Sequence, residues 1–240
     1  MTGRVVGVDG CPSGWVCVGL PAPGGCEDES SLSWDWSVHA RLPDLLSDRG
    51  DAALLVIDVP IGLTDGPPRP CDQAARRLLG PRRASVFTPP MRGMLGLPSR
   101  AAATAYGQAR RAGGGLSAQT WNIVPKIEEA DRTVSPERQA CVREGHPEVA
   151  FARLAGGPLP VPKRTLAGGA LRRRVLTGAG LDADALLRAV RGALPRRAVA
   201  DDDVLDAAAL ALTARAVLAG GAIRLGGERD ATGRVMEILG

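Results

Sequence analysis

The sequence predicts an α/β protein: a mixed sheet flanked by helices, with a basic, largely helical and loop insertion in the middle. Three observations carry this expectation. Short apolar runs of strand type crowd the first 65 residues. Ala53–Val59 (A-L-L-V-I-D-V) is a near-continuous apolar run, the pattern of a strand buried on both faces. Leu181–Leu194 and Asp202–Leu218 are good helices, the second rich in Ala and Leu and stopped by Gly220-Gly221.

Taken in order, Arg4–Asp9 reads as a first strand and Trp15–Leu20 as a second. Gly10-Cys11-Pro12-Ser13-Gly14 between them has the chemistry of a tight hairpin. A Gly- and acid-rich loop over 21–31 precedes a third alternating run, Leu32–His39. Pro43–Arg49 reads as a short helix leading to the buried strand. Further on, Cys71–Leu79 is helical, residues 80–98 form a Pro/Gly/Arg loop, and Ala101–Ala112 is a helix ended by Gly113-Gly114-Gly115. Glu137–Arg143 is expected to be helical, and His146–Leu154 fits strand or helix. Pro158–Lys163 is extended because prolines recur there. Ala222–Leu225 and Val235–Leu239 are late strands. The opening order of three meander strands, a helix and a buried strand is shared by RNase H-like folds.

The 240 residues suffice for one sizeable core, and no linker separates two domains. One domain over 1–240 is expected, with its core in 1–65 and about 141–240 and the insertion at about 66–140. Hydrophobic residues make up 45% and aromatics 3%, so Ala, Leu and Val must fill the core. No apolar run is long enough for a membrane span, and Met1–Gly7 leads directly into a strand. A cytoplasmic protein is expected. Five cysteines without a Cys-x-x-Cys pair argue against a disulfide framework, and two histidines against zinc.

The chemistry is expected at carboxylates. Asp9 ends the first strand, and Asp58 ends the buried strand before Val59-Pro60. An acid in an apolar run needs a compensating partner, a role open to an arginine, a turn amide or a metal ion. In Asp201-Asp202-Asp203-Val204-Leu205-Asp206, the first acids serve as helix cap and dipole partners. Asp206 lies a turn further in, and its i, i+3 spacing from Asp203 lets both reach one ion. In Glu144-Gly145-His146-Pro147-Glu148, Glu148 is a further candidate ligand and His146 a proton carrier or hydrogen-bonding brace. Together these acids suit a two-metal mechanism, in which Mg²⁺ or Mn²⁺ ions about 4 Å apart serve phosphodiester cleavage.

Several motifs in order resemble one family over nearly the whole chain. They are V-G-V-D-G-C-P-S-G-W (Val6–Trp15), I-D-V-P-I-G-L (Ile57–Leu63), C-D-x-x-A-R-R-x-L-G (Cys71–Gly80), S-V-F-T-P-P (Ser85–Pro90), I-V-P-K-I-E-E-A-D (Ile123–Asp131), E-G-H-P-E-V-A-F (Glu144–Phe151) and D-D-x-L-D-A (Asp202–Ala207). The sequence is thereby similar to domain-of-unknown-function family 429, described as nucleases of RNase H-like fold. The last motif is also similar to the closing D-x-x-D-A helix of Holliday-junction resolvases, here Asp203 and Asp206. The resemblance implies an RNase H-like fold and a divalent-metal-dependent nuclease. It places Asp9, Asp58 and Asp206 where that fold keeps its metal ligands, with Glu148 in a motif of this family.

Charge distribution points to the partner. Residues 1–65 hold 3 Arg against 10 acids, and residues 199–240 hold 4 Arg against 7, so residues 66–198 carry +14 of a net +4. A basic middle between acidic ends suits a metal site that handles a polyanion such as nucleic acid. Arg82, Arg83, Lys126, His146 and Lys163 are the candidate substrate-binding residues, Lys126 and Lys163 being the only lysines. Two other functions fit the same residues less fully. A sugar-kinase-like or actin-like phosphotransferase normally needs two such domains, and no G-x-x-x-x-G-K-[ST] loop is present. A non-catalytic, metal-stabilised module binding nucleic acid or protein is the second, though scarce aromatics offer few rings for base stacking.

Overall fold

The first two strands, β1 (Arg4–Cys11) and β2 (Gly14–Pro21), form an antiparallel hairpin closed between Cys11 and Gly14. Gly14 sits at φ +121°, and any side chain there would strike the carbonyl of His39, so the turn requires glycine. β3 (Asp35–His39) extends the meander, α1 (Leu42–Asp48) crosses over, and β4 (Leu54–Ile57) returns parallel to β1. β5 (Val142–Glu144) adds a second parallel pairing on β4. The five-stranded order is β3-β2-β1-β4-β5, in a computed structural model that describes residues 3–24, 31–66, 68–110 and 116–240.

Helices cover both faces. α2 (Pro70–Leu79), α3 (Arg100–Ala109) and α4 (Ala118–Thr133) come from the middle of the chain. α5 (Pro147–Ala155), α6 (Leu166–Gly178), α7 (Ala183–Ala193) and α8 (Asp201–Leu218) follow β5. A two-stranded ribbon of β6 (Arg224–Arg229) and β7 (Val235–Leu239) closes the chain, Leu239 bridging to Gly145 beside β5. The mixed sheet flanked by helices is the α/β architecture expected.

The period-2 alternation of the strands decides what each face receives. Val6, Val8, Leu55 and Ile57 pack with α1 and with Ile127 and Ala130 of α4. Val5, Leu54 and Val56 point the other way, into a core built from α5 to α8. α8 is buried continuously from Val204 to Ala214, as an Ala/Leu helix apolar all round must be. It meets β1 backbone to backbone: a Cβ on Gly7 would lie 2.1 Å from the Ala207 carbonyl oxygen and the Ala211 nitrogen. The middle of the chain is not a separate appendage, since α4 builds one core face and α2 packs on β6 and β7.

Several local expectations need correction. Glu137–Arg143 is not helical: Arg138–Ala140 forms one 3₁₀ turn and Val142–Glu144 is a parallel strand at the edge of the five-stranded sheet, its short apolar content masked by charged neighbours. His146–Leu154 resolves as helix. Pairing shortens the third strand to Asp35–His39 and the buried strand to Leu54–Ile57, leaving Asp58 just past its end. The loop over 80–98 contains 3₁₀ segments, Gly80–Ser85 and Arg92–Met94. The glycine stop at 113–115 lies outside the described residues. α4 runs through Pro125, a residue normally read as a helix breaker. Its signals are the Ser117 cap and the spacing of Thr120, Val124, Ile127 and Ala130. α6 carries two glycines of low helix propensity in its first turn, but Gly168 is needed where the Pro162 carbonyl approaches a would-be Cβ to 1.9 Å. Cys11, Cys17, Cys71 and Cys141 are free thiols, and Cys26 lies outside the described residues.

Candidate functional site

Asp9 and Asp58 meet through register. Val8 pairs with Ile57 in the parallel β1–β4 ladder, and the Asp58 amide donates to the Val8 carbonyl at 2.9 Å. One step on, both carboxylates point to the α8 face with Val5, Gly7, Leu54 and Val56. They lie at the C-terminal ends of parallel strands, where open α/β sheets place their ligands. The close crossing of α8 at Gly7 puts Asp206, one residue before Ala207, over the same point.

Burial is the largest cause of their altered acidity. The Asp9 carboxyl is pushed well above the usual range by burial, then by Asp58 and Asp206. Its Oδ1 accepts one hydrogen bond, from the Gly10 amide at 2.7 Å. Asp58 is raised to about 7 by burial and by Asp206. Asp206, 1% exposed, is raised by burial although Lys163 and Arg172 oppose this. Asp203 rises to about 6 through burial, while its Oδ2 accepts from the Ala200 amide at 2.9 Å and serves the start of α8. That replaces the expected cap: Ala200 occupies the N-cap, Asp201 faces Arg191 and Arg196, and Asp202 stands 3.7 Å from Lys163.

Cations already partner two of the acids. Lys163 Nζ donates to Asp206 Oδ2 at 2.5 Å. Burial works against the Lys163 charge, but Asp206 and Asp9 outweigh it and hold the ammonium protonated. Glu148 Oε1 accepts from the fully buried Arg172 at 2.5 Å and from Arg82 at 3.4 Å. The other oxygens, Asp206 Oδ1 and Glu148 Oε2, are buried without a hydrogen-bond partner.

His146 is a brace by geometry. It caps α5, its Nδ1 accepting from the Glu148 amide at 3.2 Å, which leaves Nε2–H to donate to the Ser85 carbonyl at 3.3 Å. Burial lowers its pKa and favours the neutral ring that this arrangement requires. Lys126 has a different position from the other candidates. It donates to the Gly14 carbonyl, and its ammonium lies 4.3 Å from the centroid of the buried Trp15 ring, pinning the β1–β2 hairpin to α4. Arg83 is exposed.

Asp58, Glu148, Asp206, Arg82, Lys163 and His146 line one cleft of about 610 Å³. Asp9 is not among its lining residues; Arg164, a cation that the basic middle of the sequence also offers, shares its walls with Phe87, Gln119 and Asn122, which sequence reasoning did not single out. Below, a buried cluster holds the floor: Arg69 donates to Asp72 and Glu144 at 2.6–3.0 Å, and Glu144 accepts from the Ile61 amide. Arg69 lies between the motifs Ile57–Leu63 and Cys71–Gly80, so no motif signalled it.

For a divalent cation, the donor set fits. The oxygens are of the type hard cations take, and two are buried and orphaned. Among the described residues, however, no group of three or more His, Cys, Asp or Glu side chains is gathered closely enough to hold an ion as it stands. Lys163 and Arg172 draw Asp206 and Glu148 to themselves.

The fold and site define an α/β protein with buried carboxylates at the C-terminal ends of its parallel strands, in a cleft with a basic rim. The chain belongs to the family described as Protein of unknown function (DUF429), whose model matches residues 7–231. No curated protein and no solved structure matches it. No helix among the described residues is long and apolar enough to cross a membrane.

Proposed function

We propose that the protein is a divalent-metal-dependent nuclease of RNase H-like fold, with Asp9, Asp58 and Asp206 as its central carboxylates. The observation that carries this reading is their convergence at one end of a basic-rimmed cleft: Asp9 of β1 and Asp206 of α8 are buried and Asp58 at the end of β4 is half-buried, Asp58 and Asp206 both raise the pKa of Asp9, and Asp206 raises that of Asp58. The strand order β3-β2-β1-β4-β5, antiparallel then parallel, supports the fold assignment. Mg²⁺ or Mn²⁺ would be held by Asp9, Asp58 and Asp206, with Glu148 and Asp203 as further ligands. A cation there supplies charge neutralisation at phosphate and acidification of water. The protein's own groups do the rest. Arg82 and Arg164 draw the phosphodiester in, and Lys163 moves from Asp206 to phosphate when the acids are otherwise neutralised. His146 keeps α5, and with it Glu148, in place.

The Lys163–Asp206 pair favours a second reading, a binding module whose acid cluster is neutralised internally. Calorimetric titration with Mn²⁺ separates the two. A nuclease binds Mn²⁺ with an affinity strongly reduced in Asp58→Asn and Asp206→Asn, and it cleaves single-stranded, hybrid or branched substrates only with metal and never as Asp9→Asn. Absence of Mn²⁺ binding excludes the metal mechanism. Metal binding with phosphate transfer from a nucleotide, and no cleavage of nucleic acid, selects the phosphotransferase.

A further inference from the structure

Phe87, Gln119 and Asn122 line the cleft and take no part in holding a cation. The chain has two phenylalanines. Phe151 is fully buried in the core, whereas Phe87 is half-buried at the wall of a charged cleft. A ring left there forgoes part of the burial free energy it would gain inside.

The backbone around Phe87 is fixed from both sides. Arg76 Nε donates to the Val86 carbonyl at 3.0 Å, and another nitrogen of the same guanidinium donates to Thr88 Oγ1 at 2.9 Å. The Thr88 carbonyl accepts from Thr120 Oγ1 at 3.4 Å, tying the Phe87 segment to the first turn of α4. That turn carries Gln119 and Asn122, three residues apart and so on one face of the helix. Both are exposed, and among the described residues neither amide has a partner. A phenyl ring on this tied segment, lining one cleft with two primary amides, offers the two surfaces a nucleobase needs, a π-face and hydrogen-bonding groups for its edge.

We propose that this corner of the cleft holds the base of an unpaired nucleotide, with its phosphate toward Arg82, Lys163 and Arg164. The inference deepens the nuclease reading and rests on it for the placing of the phosphate. It names the substrate class as a single-stranded or unstacked nucleotide. In a duplex interior, the base is stacked on both sides and paired at its edge, and it offers nothing to this ring or these amides. The cleft volume of about 610 Å³ is also that of a pocket enclosing one small molecule.

The test measures binding to the Asp9→Asn protein with Mn²⁺ present. The probes are a short single strand, the same sequence as duplex, a mononucleotide and inorganic phosphate. The single strand is expected to bind at least tenfold more tightly than the duplex. Phe87→Leu, which keeps apolar volume but loses the π-face, should weaken single-strand binding about tenfold and leave phosphate binding unchanged. Phe87→Tyr should retain binding, and Asn122→Ala should change the preference among bases. A mononucleotide held as tightly as the strand identifies a free nucleotide as the occupant; a weaker one identifies the strand. Equal binding of duplex and single strand, or unchanged binding in Phe87→Leu, overturns the inference. If metal-dependent cleavage of duplex then persists, the nuclease reading survives alone. If Phe87-dependent binding occurs and the wild-type protein, with Asp9 in place, binds no Mn²⁺, the base site survives and the nuclease reading does not.

Discussion

Asp58 and Asp206 look equivalent as acids of one cluster, yet their partners make opposite predictions. No described side chain hydrogen-bonds to the Asp58 carboxylate, and its raised pKa means that the folded protein disfavours its charge. Folded-state values above the unfolded one, about 7 for Asp58 and about 6 for Asp203, leave stability highest below roughly pH 4. That stability is lost as pH rises through 6 and 7. Asp58→Asn should therefore raise the metal-free melting temperature at pH 8 by a few degrees and flatten this decline. Asp206→Asn takes from the Lys163 ammonium, whose side chain is one third exposed, its hydrogen-bonded acid and leaves it Asp202 at 3.7 Å and the charge of Asp9. It should lower stability by a solvent-screened share of the ~3–5 kcal/mol that breaking a buried pair costs. Thermal melts of the two variants across pH check both signs, and stabilisation by both would mean that Lys163 does not hold Asp206.

At the scale of elements, the site depends on how α8 lies on β1. Its first-turn acids and Ala/Leu composition make the helix legible in isolation, but its seat is decided by the missing side chain at Gly7. Gly7→Ala must push two backbones apart, at a cost of about 1–3 kcal/mol or more by analogy with overpacked cores. The displacement should also separate Asp206 from Asp9 and weaken Mn²⁺ binding in protein that remains folded. Denaturant melts and calorimetry on the same sample measure the two losses, and unchanged stability would show that the crossing is looser than the geometry describes. The elements that sequence reasoning left unread, α4 and α6, each contain a residue that opposes helix locally. Pro125 and the Gly168-Gly169 pair are tolerated because packing repays the local cost, a term absent from propensity.

For the whole molecule, charges of both signs meet in the cleft: Asp58, Glu148 and Asp206 line it with Arg82, Lys163 and Arg164. The +14 on residues 66–198 is not spent uniformly. Arg82 reaches the cleft and Glu148, whereas Arg83 is exposed, Arg69 is buried in its own acid pair and Lys126 is committed to the hairpin. If cleft arginines meet backbone phosphate, nucleic-acid affinity should fall steeply with salt. Arg82→Ala should then reduce the log–log slope by about one. A salt series on the Asp9→Asn protein with Arg82→Ala and, separately, Arg83→Ala measures each share. A slope near zero in the parent would make the basic middle a matter of composition rather than binding.

Composition, periodicity and motif order were enough to establish the α/β class, the first hairpin, the buried β4 and helix α8, because each is encoded in local pattern. They were also enough to pick out Asp9, Asp58 and Asp206, since an acid inside an apolar run is conspicuous wherever the chain goes. The state of those acids was decided by tertiary structure alone. Lys163 and Arg172 are remote in sequence from β1 and β4, and only the packing of α6 and the 158–163 stretch against α8 brings them to Asp206 and Glu148. The wall of Phe87, Gln119 and Asn122 has the same origin. A half-buried phenyl and two ordinary amides carry no signal in sequence, and become a surface only when Arg76 and Thr120 tie their two segments together.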